Sequence, residues 1–166
     1  MKYSFNKAVQ GAPTAPDPYI TEKKLIELKN KLKHLKETQP QAAADVGRLA
    51  QNGDFSENVE YQIAKGRLRG MNNAILNLEK QINQAVVIDN VKTSGLIALG
   101  SKVKVLSEKG ELNFQILGST ETNPSLGVIS HHSPLGSALL GHKEGDEIKI
   151  NLANNKEVVY KVVKVE

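Results

Sequence analysis

Two carboxylates, Asp54 and Glu57, stand in the stretch NGDFSENVEY at positions 52–61. Their D-x-x-E spacing has two chemical uses. One is a capping box: the Asp54 side chain accepts from the backbone N–H of residue 57 and Glu57 reaches back, both charges favoured by the positive end of a following helix. The other is to offer oxygen ligands to a hard cation. Mg²⁺ is commonly held through one or two carboxylates, with water and substrate phosphate completing its octahedron. Two carboxylates on a solvated loop leave most of that shell to water, so this pair acts only as a supplement to a metal site that a partner supplies. The two uses are compatible, because a capped loop is a fixed loop.

The elements that must position these acids form a helical hairpin. Thr21 offers an N-cap and TEKK an acidic first turn. From there apolar residues recur at Leu25, Leu28, Leu32, Leu35, Ala42, Val46 and Leu49, in steps of three and four, with Gln39 the polar interruption. This is a heptad seam. Pro40 is expected to bend that helix or remove one of its backbone hydrogen bonds, and Asn52 with Gly53 to end it. A second seam runs through Tyr61, Ala64, Leu68, Met71, Ile75, Leu78, Ile82 and Ala85. The short connection between the seams requires antiparallel partners. Helices of roughly 30 residues, rising ~1.5 Å per residue, make a rod about 45 Å long. Such a rod buries one narrow seam and exposes the rest, which suits reaching more than core building. An acidic pair needed only for capping gains nothing from a place at its far end. Gly66 and Gly70 lie in the second helix and each costs it about 1 kcal/mol relative to Ala.

After Val86 the period changes. Short alternating segments recur at 102–106, 112–117, 127–130, 147–152 and 158–165, separated by turn-rich stretches such as SEKGE, STETNPS and ANNK. SPLGSALLG breaks the pattern: Ser133 can cap, Pro134 suits the first helical position, and Gly141 ends a short helix. The fold class is α+β, an N-terminal antiparallel coiled-coil hairpin followed by a small, mainly antiparallel sheet with one short helix. The expected divisions are a flexible extension over 1–18, the hairpin over 19–88, a linker over 89–96 and the β-rich domain over 97–166.

Composition narrows the function classes. Apolar residues make up 39% and charged residues 24%, ordinary values for a soluble globular chain. There is no cysteine, which excludes disulfides and thiolate metal sites. The net charge of +4 is uneven: residues 21–84 hold eleven Lys/Arg against eight Asp/Glu, whereas residues 97–166 hold eight of each. The hairpin therefore favours an acidic partner. Lys65, Arg67 and Arg69 lie within a few turns of the tip, and Lys65 and Arg69 share a face at four-residue spacing. No run approaches the roughly 20 apolar residues of a membrane span, and the first residues lack a signal-peptide core. The expected location is the cytoplasm.

GDFSENVEY at 53–61, flanked by heptads, and SPLGSALLGHKEGDEI at 133–148 resemble the Gre transcript-cleavage factors of bacterial RNA polymerase, over roughly residues 19–166. Pro40 lies thirteen residues before the tip glycine, as in that family. YIT and the K-x-R-L-R run are nearer the B type, and Ala50 stands where A-type members commonly carry a basic residue. The resemblance implies a coiled coil that enters the polymerase secondary channel and an FKBP-like second domain that docks at its mouth. It implies that Asp54 and Glu57 help hold the second catalytic Mg²⁺, shared with the polymerase, and position the attacking water. The polymerase then hydrolyses backtracked RNA, so the factor is no enzyme and has no cofactor of its own. The implied partners are RNA polymerase and the nascent RNA 3′ end, met by a monomer. Lys65, Arg67, Arg69 and Arg48 are expected to contact RNA or the channel wall. Phe55, Ser56, Asn58 and Tyr61 support the tip, and Ser133, Pro134, Leu139 and Gly141 belong to the docking motif.

Three rivals remain on the sequence. The nearest is a Gre-like modulator that enters the channel without stimulating cleavage, and another is a coiled-coil adaptor with an inert tip. A prolyl isomerase is disfavoured because residues 97–166 offer only Phe114 and Tyr160 as aromatics. His131 and His132, with His142, invite a metal reading. Adjacent histidines on a strand point to opposite faces, and the free protein is expected to hold no metal stably. There is also no phosphate-cradling glycine loop and no Ser/His/Asp triad.

Overall fold

The structure is a computed structural model that describes residues 17–51, 59–88, 95–108, 110–151 and 157–166. A short strand β1 (Tyr19–Ile20) leads into helix α1 (Glu22–Ala50), which is followed by helix α2 (Val59–Gln84) and strand β2 (Val86–Val87). Thr21 caps α1 as its type predicts, accepting from Lys24 N at 3.2 Å. At ~1.5 Å per residue the two helices are about 43 and 39 Å long. Helix α1 runs unbroken through Pro40, so the proline costs it a hydrogen bond and not its continuity.

The seam is the one the heptads predict. The buried residues of the pair are Leu28 and Leu49 on α1 and Ile75 and Leu78 on α2, all of them seam positions. Ile20, Leu28 and Leu78 form a small cluster that Leu25, Leu32, Leu35, Ile82 and Ala85 surround. Lys36 Nζ reaches Glu79 Oε1 across the helices at 2.6 Å. Gln39 stays on the seam because it has a partner: its Nε2 donates to Asn72 Oδ1 at 2.7 Å. A single polar pair of this kind fixes register. Gln39→Leu alone is expected to cost about 1 kcal/mol, since it strands the Asn72 amide. Adding Asn72→Leu should restore stability in urea denaturation while letting the helices associate in other registers, read by sedimentation. A double variant as destabilised as the single one would show that this pair does not set the register.

Strands β1 and β2 pair in parallel, Tyr19 opposite Val86 and Ile20 opposite Val87, and close the base of the hairpin. The remaining strands are β3 (Lys102–Ser107), β4 (Gly110–Leu117), β5 (Val128–Ser130), β6 (Glu147–Asn151) and β7 (Glu157–Val165). They form one sheet in the order β5-β4-β3-β7-β6. Every pairing is antiparallel except β4 with β5, which is parallel. Two single-turn 3-10 segments between β4 and β5 turn the chain for that parallel return. Helix α3 (Pro134–Leu139) lies over the sheet and completes a core in which Val105, Ile116 and Leu139 are fully buried. Among the described residues no helix is long and apolar enough to cross a membrane.

The two units meet through the segment just before α1. Thr21 N donates to Glu121 Oε2 at 2.7 Å, and Thr21 Oγ1 donates to Glu121 Oε1 at 2.6 Å. Asp17 Oδ2 accepts from Ser119 N at 2.7 Å and from Ser119 Oγ at 3.0 Å. The backbone packs closely too: a Cβ on Gly118 would lie 1.9 Å from Tyr19 O. The base of the rod is thus held to the sheet domain by one carboxylate from each side.

Candidate functional site

The site is the free end of the hairpin. Helix α1 closes with Gln51, whose N–H is directed at the carbonyls of Arg48 and Leu49, and α2 begins at Val59 with Glu60 in its first turn. Asp54, Phe55, Ser56, Glu57 and Asn58 lie between these ends and outside the described residues. What the described residues establish is how the pair is carried. Eight residues, 51–58, join two antiparallel helices, whose other ends converge on β1, β2 and the sheet domain. Asp54 and Glu57 therefore belong to the connection farthest along the chain from that base, at the end of two packed helices.

The basic residues near the tip divide. Lys65 and Arg69 are exposed on one face of α2. Lys65 Nζ sits 5.7 Å from the centroid of the Tyr61 ring, within range of a cation–π contact. Tyr61 is half-buried on the seam, so it orders this cation as well as packing. Arg67 borders a groove between the helices of about 350 Å³, which Glu37 and Asp45 also line. Arg48 lies 3.9 Å from Asp45. Arg48 thus has a carboxylate near it on its own helix, and among the described residues Lys65 and Arg69 form an exposed positive face with no ion pair to a carboxylate.

In the second domain the motif residues are mostly architectural. Ser133 Oγ donates to Ser130 O at 2.6 Å and accepts from Gly136 N at 3.0 Å, capping α3, with Pro134 at its first position. A Cβ on Gly136 would lie 2.1 Å from Ser130 O, so the motif needs glycine there. Gly141 ends the helix at φ +80°, a left-handed conformation that glycine accepts without strain. Leu139 corrects the sequence reading: it is fully buried in the core and offers no surface to a docking partner. Its place in the motif is to hold α3 against the sheet.

The histidines also differ from expectation. His131 and His132 occupy a turn after β5, not a strand, and their rings lie 3.8 Å apart. Asp17 joins them, its Oδ2 3.4 Å from His131 Nδ1. Burial works against an ionised Asp17, but the amides of Ser119 and Tyr19 donate to it and hold its carboxyl below the ordinary range. His142 lies apart, paired with Asp146 at 3.2 Å. No sequence signal links Asp17 to His131 across more than a hundred residues; only the packing of the two units does.

Both halves of the chain match families of known proteins. Residues 18–87 match the model described as transcription elongation factor, N-terminal. Residues 92–166 match transcription elongation factor, GreA/GreB, C-term. A protein of Nitratiruptor sp. named transcription elongation factor GreA is 36% identical over 149 residues, covering 84% of this chain and 91% of the relative. Its namesake in Mesoplasma florum is 36% identical over 144 residues, covering 84% and 92%. Among solved structures, the Gfh1 protein of Thermus thermophilus aligns at 24% identity and a TM-score of 0.42, over 90% of this chain and 99% of that one.

Proposed function

The chain belongs to the GreA/GreB family of transcription elongation factors, and from that premise we propose that it enters the secondary channel of RNA polymerase tip first and stimulates hydrolysis of backtracked RNA. The observation that carries this reading is the pairing of a 29-residue and a 26-residue helix into a rod whose far connection contains D-x-x-E. A capping box alone needs no such reach.

Two carboxylates are too few to hold Mg²⁺ by themselves, and they fit the role of extra ligands to an ion that the polymerase and the RNA already bind. That ion supplies the activated water and the charge neutralisation of a two-metal phosphodiester hydrolysis. Asp54 and Glu57 contribute negative charge and hydrogen-bond acceptors that orient the water. The rod brings them in, and the joined base of the hairpin sets the angle from which they arrive. The factor completes a catalytic centre without owning one. The sheet domain stays at the channel mouth, and a single copy suffices, since each channel admits one hairpin.

The test is a halted, backtracked elongation complex with a labelled 3′ end. Adding the full chain should accelerate loss of the 3′ fragment and restore extension by nucleotides. Tight binding without acceleration would instead identify a modulator that does not stimulate cleavage. The Lys65 and Arg69 face gives a second, separable prediction. If each cation meets an RNA phosphate, Lys65→Ala with Arg69→Ala lowers the salt dependence of binding by roughly 1.4 in the slope of log K against log salt. An unaltered slope would make this face an ordinary solvated one.

A further inference from the structure

We propose that Asp17, His131 and His132 form a binding site for a borderline divalent transition cation of the Zn²⁺ class, which clamps the segment before α1 to the sheet domain. One donor atom from each of the three residues lies within 4.8 Å of the other two. Asp17 lies more than a hundred residues before the two histidines, and they meet only where the two units pack. The donor set, two imidazoles and one carboxylate, is that of three-ligand Zn²⁺ sites, which leave a fourth position to water. A tetrahedral ion with bonds near 2.0–2.1 Å separates its ligand atoms by about 3.3 Å. The His131 Nδ1 to Asp17 Oδ2 distance is already 3.4 Å.

The ligands are also prepared electrically and sterically. The Asp17 side chain is almost wholly buried and is held in place by the Ser119 and Tyr19 amides, which donate to it. Oδ2, the oxygen near His131, already accepts from Ser119 N and Oγ, whereas among the described residues Oδ1 accepts only from Tyr19 N at 3.1 Å and keeps acceptor capacity for an ion. The Leu117 carbonyl, 3.3 Å from His131 Nδ1, is the competing partner when no ion is bound. The Tyr19 ring stands edge-on to His131 at 5.8 Å and restricts its rotation. His132 is exposed, so it can rotate to close the set at little cost. The competing account of this cluster is a hydrogen-bonded polar contact that needs no ion.

Calorimetric titration of ZnCl₂ into the tag-free full chain tests the site, with Co²⁺ absorption as the spectroscopic reading of a tetrahedral nitrogen–oxygen set. One equivalent should bind and raise the melting transition by about 5 °C at a hundredfold excess over Kd. His132→Ala, at an exposed position that spares the fold, should weaken binding by at least about tenfold. Asp17→Asn should do the same, whereas His142→Ala should leave binding as it was. Absence of saturable binding overturns the proposal, as does an affinity that survives His132→Ala or falls only with His142→Ala. Neither result bears on whether the tip stimulates RNA cleavage.

Discussion

Replacing Asp54 with Asn and Glu57 with Gln together should reduce stimulated RNA cleavage by at least about a hundredfold, the range lost when an enzyme site loses a group aimed at developing charge. These substitutions separate the two uses of D-x-x-E. Asn is as good an N-cap as Asp, and Gln serves a capping box as Glu does. Any capping the pair provides is therefore kept, and only the negative charge is lost. Polymerase affinity should stay within about threefold, because rim charges of this kind alter encounter more than residence. Asp54→Ala with Glu57→Ala should lose the same activity and, in addition, about 1 kcal/mol of hairpin stability from the missing cap. If the Asn/Gln variant cleaves as the parent does, the acids are a cap and the metal reading fails. A variant that no longer binds polymerase would show that the charges serve docking.

The hairpin was legible because it is built from local rules. Thr21 is a capping type in the right place, and steps of three and four at Leu25 to Leu49 have no other regular solution than a helix seam. The strands of the larger sheet were equally plain, since alternation and turn residues bracket them: Lys102–Ser107 and Glu157–Val165 fall close to where the pattern puts them. The parallel β4–β5 pairing was not legible. STETNPS looks like a turn between neighbours, and nothing local says that two 3-10 turns carry the next strand back in parallel. Tyr19–Ile20 escaped for a related reason: two residues are too short for a period, and their partner Val86–Val87 lies at the other end of the hairpin. Leu139 shows the opposite failure. Its motif suggested a surface, but a short amphipathic helix needs one apolar residue to seat it, and burial claimed the leucine. As for the candidate site, its acids and basic face were visible as residue types at stated spacings. What sequence could not supply was which charges meet in space: Lys36 reaches Glu79 on the other helix, Arg48 comes near Asp45 on its own helix, and Lys65 lies over the Tyr61 ring.

Gly118→Ala should release the base of the rod from the sheet domain while both units stay folded. The residue has φ −65° and ψ 158°, which alanine adopts freely, so no strain arises within the chain itself. The obstacle is Tyr19 O at 1.9 Å and Tyr19 C at 3.0 Å from the added Cβ. Ordinary contact begins well beyond those distances, and the segment must retreat. Retreat breaks the Thr21–Glu121 and Asp17–Ser119 hydrogen bonds together, because Asp17 and Thr21 flank Tyr19 on the retreating segment. Amide exchange reads this directly. The Ser119 and Thr21 amides, donors to Asp17 and Glu121, should exchange about tenfold faster or more, as interface opening replaces global unfolding as their route to solvent. Ile116 and Val162 amides, bonded within the sheet domain, should be unaffected. Stimulated cleavage should fall with the interface, because a tip on a loosened rod is delivered over a range of angles and positioning is what the acids contribute. If the Ser119 and Thr21 amides keep their protection in the variant, the interface does not hold the rod, and its direction must be fixed by the polymerase alone.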